Sequence, residues 1–448
     1  MEVQVLFGLM VLFVTMGVRT DAGHVVAQLF YHTATTRPPM LIAATVFGWA
    51  LVMKVAQASS LKVEKVIGPV MSWWTTFRSA VVLLDAILLC RLFPLVYDVA
   101  THGESSSWST LVGDVAAYAC CAVALVYPPS KLFSTTASSS KSFSADRSAA
   151  HAKYGHGLAA ETSNARNSLL VALWDTLLAP FAPVTFWHVL VADYATSLAK
   201  GLGDAHVTAC VATRAFFQAE AETYFNYEEA PVQRHQRHSI WWEAKRGTCA
   251  SSLLNASALA LPFWCRLFQC CAVYKETRHP KNLWNALKYA TAFPLIYIGY
   301  LEKLHPGEYH RIFVAAAVLQ SSATFCWDVL MDWTIFDKKA GGLLCGLFDP
   351  ATFRSSLFFS KAAAVFPFCA LVVFDLALRF VWTLAVFGDA PTRGAGLFCF
   401  ELAEVLRRTV WALFRIEWEI IAHGHHLPVE GEDDDDDAEK PDFTPEEE

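Results

Sequence analysis

Long apolar runs separated by short polar links recur down the chain. About 20 apolar residues suffice to carry a helix across a bilayer. Runs of that order lie at 39–57, 79–97, 110–128, 182–199, 250–273, 285–302, 311–331, 362–388 and 397–421. Each is read as one continuous span. A weaker segment occupies 206–222. Leu6 to Val18 is also apolar, with no basic residue before it and no small-x-small cleavage site, so it is kept as a first span and not as a signal peptide. Leu169 to Val184 is interrupted by Pro180 and Pro183, which predicts a broken or re-entrant helix leading into the next span. The fold class that follows is all-α: a polytopic transmembrane helix bundle of about ten to twelve spans.

Composition agrees with that pattern. Of 448 residues, 54% are hydrophobic and 17% charged, against about 25% charged in ordinary soluble domains. The net charge of −7 reflects an acidic tail holding Asp433 to Asp437; such a tail is solvated and disordered by composition. The link from Pro128 to Asn167 is rich in Ser and Ala and carries Lys131, Lys141, Arg147, Lys153 and Arg166, which predicts a flexible cytosolic loop. The loops with Lys275, Arg278 and Lys281, and with Lys338, Lys339 and Arg354, fall on the same side. Four units result: N-terminal transmembrane helices (1–128), the loop (129–167), a second transmembrane domain (168–424) and the tail (425–448). The twelve cysteines contain no Cys-x-x-Cys pair and mostly sit in apolar runs, so they are read as small packing residues and not as a disulfide frame or zinc site. His423, His425 and His426 beside the tail are read as exposed. No catalytic residue, metal ion or cofactor is expected.

The informative residues are charges inside the apolar runs. Asp328 and Asp332, four apart at the end of 311–331, share one helical face. A carboxylate at membrane depth costs about 3 kcal/mol or more, so it turns toward a polar interior. Lys288 and Tyr289 head the run 285–302. Asp375 and Arg379 lie four apart, with Trp382 a turn later. On the last span Glu401, Glu404, Arg408, Trp411 and Arg415 fall on one stripe, with Arg407 beside it. Intrahelical pairing of Asp375 with Arg379 and of Glu404 with Arg408 is the plain structural alternative. Several such spans in one chain favour a polar route instead, because buried ion pairs stabilise poorly compared with apolar packing. The cations suit an oxyanion, since guanidinium offers forked donors and lysine a point charge. The carboxylates would orient them and keep binding weak enough for release.

Six ordered stretches resemble the EXS family: Ala-Asp-Tyr-Ala-Thr-Ser (192–197), Pro-Phe-Trp-Cys-Arg-Leu-Phe-Gln-Cys (262–270), Asn-Ala-Leu-Lys-Tyr-Ala-Thr (285–291), Trp-Asp-Val-Leu-Met-Asp-Trp (327–333), Leu-Arg-Phe-Val-Trp-Thr (378–383) and Glu-Val-Leu-Arg-Arg-Thr-Val-Trp (404–411). That family includes phosphate exporters related to the xenotropic and polytropic retrovirus receptor, and Golgi proteins of the yeast ER-retention-defective type. The resemblance implies a phosphate transporter or channel in which Asp193, Lys288, Tyr289, Asp328, Arg379, Arg407 and Arg408 contact the anion. Thr196, Arg266, Asp332, Asp375, Trp382 and Glu404 would gate or support it. It implies inorganic phosphate and the lipid bilayer as partners, no nucleic acid, and admits a homodimer. The surface exporters carry an N-terminal SPX domain; here the first span starts within ten residues, so the layout resembles the SPX-less members and the Golgi membrane is expected over the plasma membrane. A Golgi adaptor that retains or sorts glycosylation enzymes is the alternative function. An intramembrane aspartyl protease is disfavoured by the missing Gly-x-Gly-Asp motif.

Overall fold

A computed structural model describes residues 36–102, 107–126, 164–179, 181–217, 247–336, 352–360, 363–387 and 395–424. Over these residues the chain is helical. The helices are α1 (Arg37–Ala58), α2 (Glu64–Ile67), α3 (Trp73–His102), α4 (Ser107–Val126), α5 (164–177), α6 (Phe186–Ser197), α7 (Ala199–Phe217), α8 (Leu253–Thr277), α9 (Pro280–Ala290), α10 (Ala292–Leu304), α11 (His310–Trp327), α12 (Val365–Arg379), α13 (Thr383–Phe387) and α14 (Ala395–Ala422). Three stretches are each long and apolar enough to cross a membrane by themselves: Arg37–Ala58, Leu253–Thr277 and His310–Asp332. The chain is an integral membrane protein with an all-α fold. The expected span at Leu6–Val18 and the acidic tail lie outside the described residues, as does most of the 129–167 loop. That loop ends earlier than its composition suggested, because α5 already begins at residue 164.

Four runs expected to be continuous spans are interrupted. The run 182–199 divides into α6 and α7 at Leu198. The run 285–302 divides into α9 and α10 at Thr291. The run 311–331 ends in a π-helical turn, Asp328–Asp332, and 362–388 breaks at residues 380–382. Hydropathy did not reveal this, and a threonine hydroxyl bonds to a carbonyl three residues back at three of the four breaks. Thr196 Oγ1 donates to the Asp193 carbonyl at 2.7 Å, Thr291 Oγ1 to the Lys288 carbonyl at 2.6 Å, and Thr383 Oγ1 to the Phe380 carbonyl at 2.7 Å. Such local bonds compete with the helical ladder. At the π turn the Trp333 N–H reaches back five residues to the Asp328 carbonyl at 3.0 Å.

α14 is the central column. It packs against α1, α6, α12 and the π turn. Its Trp411, Phe414, Ile416 and Ile420 join Trp333, Phe353 and Phe368 in the main apolar core. α1 approaches so closely that a Cβ at Gly48 would fall inside the Thr409 hydroxyl. One end of the bundle is closed by the strap 352–360. There Glu417, fully buried, accepts from Arg354 Nη2 at 2.7 Å, Ser356 Oγ at 2.5 Å and the Leu357 N–H at 2.7 Å. Lys281 reaches the Met331 carbonyl at that same end.

The opposite end corrects the reading of the cysteines. Cys210 of α7 and Cys249, just before α8, form a disulfide with Cα atoms 6.0 Å apart. Their 39-residue separation hid the pair, which forms because α7 and α8 pack side by side. Lys303 at the foot of α10 donates to the Ala250 carbonyl nearby at 3.4 Å. A persistent disulfide belongs to an oxidising compartment, and Lys281 lies at the other end of the bundle, so the sidedness to test is a disulfide end that faces away from the cytosol. Proteolytic fragments bearing Cys210 and Cys249 are therefore expected to stay linked until reductant is added. Labelling of both as free thiols in the native protein would contradict the pairing and the sidedness drawn from it.

Candidate functional site

The helix breaks collect polar side chains in the middle of the bundle. α6 starts from a capping box at Thr185, where the Thr185 N–H donates to His188 Nδ1 at 3.1 Å. Two turns later Asp193 is buried and accepts from Arg266 Nε of α8 at 2.8 Å and from the Tyr289 hydroxyl of α9 at 2.6 Å. Arg266 also donates to Gln269 Oε1 at 2.8 Å, and Gln269 continues to Thr176 Oγ1 of α5 at 3.2 Å. Lys288 Nζ donates to the Tyr289 hydroxyl at 3.1 Å and lies over the rings of Tyr289 and Trp327, 4.2 and 5.2 Å from their centroids. The α9–α10 break aims both Lys288 and Tyr289 inward.

The second half of the site is built on α14. Arg407, fully buried, donates twice to Glu404 at 2.8 and 2.7 Å, to Asp375 of α12 at 3.1 Å and to Asp328 of the π turn at 3.3 Å. Asp328 is also paired with Arg379 of α12. Of the two intrahelical pairings, Asp375 with Arg379 is present only as a long ion pair, and Glu404 with Arg408 is replaced by Glu404 with Arg407. Arg379 is 3.9 Å from Asp375 but hydrogen-bonds Asp328, so its strong contact crosses between helices. Glu404 pairs with Arg407 and accepts from Ser197 Oγ at 2.6 Å, whereas Arg408 donates to Ser197 Oγ at 2.8 Å and to Thr196 Oγ1 at 3.5 Å. The break at Leu198 turns these hydroxyls toward α14, and that contact outcompetes an i,i+4 pair.

Asp332 stands apart from Asp328. It accepts from the Trp327 indole at 3.1 Å and lies 4.0 Å from Arg415. Trp382, in the break between α12 and α13, is half-buried, and its indole donates to Ser321 Oγ at 3.1 Å. Sequence reasoning missed Ser197 as a site residue although it closes the 192–197 motif. Its position four residues after Asp193, on the same face, was the available signal.

One asymmetry organises the cations. Arg266, Arg379 and Arg407 each hold a carboxylate. Lys288 and Arg408 are buried as well, yet among the described residues neither has a carboxylate within 4.0 Å. Arg408 stacks on Trp411, its guanidinium 4.3 Å from the ring centroid. Both cations lie within electrostatic range of Asp193 and of Asp328, so they face a common region.

Comparison with known proteins adds to this geometry. The model of the EXS family matches residues 33–421. The xenotropic and polytropic retrovirus receptor 1 homolog of Danio rerio is 30% identical over 261 residues. Solute carrier family 53 member 1 is 27% identical over 264 residues in Homo sapiens and 28% over 261 residues in Mus musculus. Each alignment covers 56% of this chain and 34% of the relative, so the chain spans about a third of the length of these relatives.

Arg407 supports a prediction independent of any transported molecule. Removing it leaves Glu404, Asp375 and part of Asp328 without their guanidinium. Breaking a buried ionic pair in this way costs about 3–5 kcal/mol. Arg407→Ala is expected to lower the thermal unfolding temperature of the purified protein far more than Arg408→Gln does. Equal and small shifts for both would show that Arg407 does not brace the bundle.

Proposed function

The chain belongs to the EXS family, and from that premise we propose that it moves inorganic phosphate across a membrane through the polar centre of the bundle. The observation that carries this reading is the pair of buried cations without carboxylate partners, Lys288 and Arg408. A buried cation whose hydrogen bonds go only to neutral hydroxyls is incompletely satisfied, and an anion that enters between the two completes it. Phosphate fits their chemistry: a guanidinium offers forked N–H donors to its oxygens, and an ammonium adds a point charge. The Tyr289, Ser197 and Thr196 hydroxyls accept from these two cations while donating their own protons to Asp193, Glu404 and the Asp193 carbonyl, and so they hold the cations in place beside the path.

The paired residues take a different part. Arg266, Arg379 and Arg407 are held by Asp193, Asp328, Asp375 and Glu404, and so they shape the path and keep its positive potential moderate. A path that binds its ion too tightly does not conduct. The resemblance to phosphate exporters, read from the six stretches of sequence, names the same region. Trp382 stands at the break between α12 and α13, where a half-buried ring tethered by one indole bond could shift to open or close the path.

The test is flux of labelled inorganic phosphate through the purified protein in liposomes. Wild-type protein is expected to exchange phosphate. Arg408→Lys keeps the charge and loses the fork; because hydrogen bonds to charged groups contribute about 1.5–3 kcal/mol, flux is expected to fall about tenfold or more with the fold intact. Lys288→Gln is expected to act similarly. Wild-type flux in both folded variants would remove these cations from the path, and absence of flux in the folded wild-type protein would overturn the reading altogether.

A further inference from the structure

A second ionic group lies outside the site just described, one helical turn toward the disulfide end. Arg37 opens α1, Lys200 and Asp204 lie on α7, and Glu401 lies on α14. Arg37 donates to Asp204 Oδ2 through Nε at 3.1 Å and Nη2 at 2.5 Å, and Lys200 Nζ donates to Asp204 Oδ1 at 2.6 Å. Both Asp204 oxygens are thereby occupied. Glu401 is 92% buried by its 8% exposure, yet neither of its oxygens accepts a hydrogen bond. Arg37 Nε is 3.3 Å away and already committed to Asp204, and Lys200 Nζ is 4.0 Å away. Lys303 of α10 lies within electrostatic range of Lys200 and Asp204 from the same end. Glu404, one turn along α14, is turned away toward Arg407 and Ser197.

The chemistry of the group distinguishes its two acids. Asp204 is a fully bonded carboxylate. Glu401 is flanked by two cations, Arg37 Nε at 3.3 Å and Lys200 Nζ at 4.0 Å, but neither of its oxygens accepts a hydrogen bond, so both are open to a proton. A metal cation would meet Arg37 and Lys200 at close range, whereas a proton adds to a Glu401 oxygen with no change in packing. Lys200, 45% exposed, leaves an opening toward that end of the bundle.

We propose that Glu401 is a proton-binding site at the disulfide-side mouth of the central path. A proton from water adds to one Glu401 oxygen, forming a carboxylic acid, and the Arg37–Lys200–Asp204–Glu401 group goes from neutral to a net charge of +1. The acid then has an O–H to donate. The second half of the proposal rests on the phosphate reading: this added positive charge, a turn or two from Ser197 and Arg408, favours entry of the anion. Acidity on the disulfide side therefore speeds flux, and alkalinity slows it. At an effective dielectric constant of about 20, a unit charge about 10 Å from a singly charged anion changes its occupancy by about tenfold or more.

Two measurements test the two halves separately. The first is pH-difference infrared spectroscopy of the reconstituted protein without phosphate. Acidification should produce a carboxylic acid carbonyl band in wild type that is missing in Glu401→Gln and shifted in Glu401→Asp. Identical spectra for wild type and both variants would overturn the proton site whether or not the protein transports phosphate. The second is phosphate flux at acidic and alkaline pH on the disulfide side. Phosphate itself titrates, so the comparison is between proteins: wild type should show about tenfold more pH dependence than Glu401→Gln, which carries a permanently neutral side chain. Equal pH dependence would overturn the coupling even with the infrared band present. If Glu401→Gln does not assemble, Glu401→Asp decides the first measurement by the position of its band.

Discussion

Charge buried in a low-dielectric bundle must be matched at short range, and here that matching is concentrated on Arg407. One guanidinium collects carboxylates from α14 itself, from α12 and from the π turn. Three separate elements are thereby held to one point near the middle of the central helix. Such a hub adds little stability compared with apolar packing of the same volume. What it adds is position: the orientation of Asp328 and Asp375 depends on it, and Arg379 is fixed in turn through Asp328. On the strap side of the central helix, Trp333, Trp411, Phe353 and Phe368 form the aromatic part of the main apolar core.

The helix breaks are the second requirement. A straight helix shows one stripe to its neighbours, so a continuous 285–302 span would bring Lys288 inward and carry the rest of its stripe through the apolar core. Breaking at Thr291 lets α9 present Lys288 and Tyr289 while α10 packs by other rules. The breaks also create new helix N-termini beside the site: α7 begins at Ala199, directly after Thr196 and Ser197, and α10 at Ala292, directly after Lys288 and Tyr289. Helix N-termini carry positive partial charge, and membrane transporters commonly place such half-helices at an anionic substrate. These N-termini lie beside the two cations that, among the described residues, lack a carboxylate within 4.0 Å, at the same breaks where α6 and α9 end.

Much of this was legible in sequence, and the remainder was hidden for physical reasons. Apolar runs located α1, α8, α11 and α14 to within a few residues, because length and hydropathy directly determine a spanning helix. Charges interrupting those runs marked the site, since a lone charge there has no other explanation as economical. Partners were not legible. The plain alternative paired Glu404 with Arg408 at i,i+4; Glu404 instead holds Arg407, and Ser197, turned in by a break that hydropathy does not register, bridges Glu404 and Arg408. Arg37 with Glu401 and Cys210 with Cys249 join residues far apart in sequence, and a single chain without structure has no means of registering such contacts.

The two ends of the bundle are built for different amounts of motion. At the strap end Glu417 takes three donors from 352–360, and Arg354 also donates to the Trp333 carbonyl at 2.8 Å, so side chain and backbone lock together around a buried ion pair. Moving that end would strip several bonds from a fully buried carboxylate. Between α12 and α13, by contrast, the Trp382 side chain is held by a single indole bond to Ser321 and a tilted contact with Phe380. On the proposed transport reading, a conformational cycle is cheapest where the fewest buried bonds change. That places the moving part at the α12–α13 break and leaves Arg407, one element away, as the fixed point against which it moves.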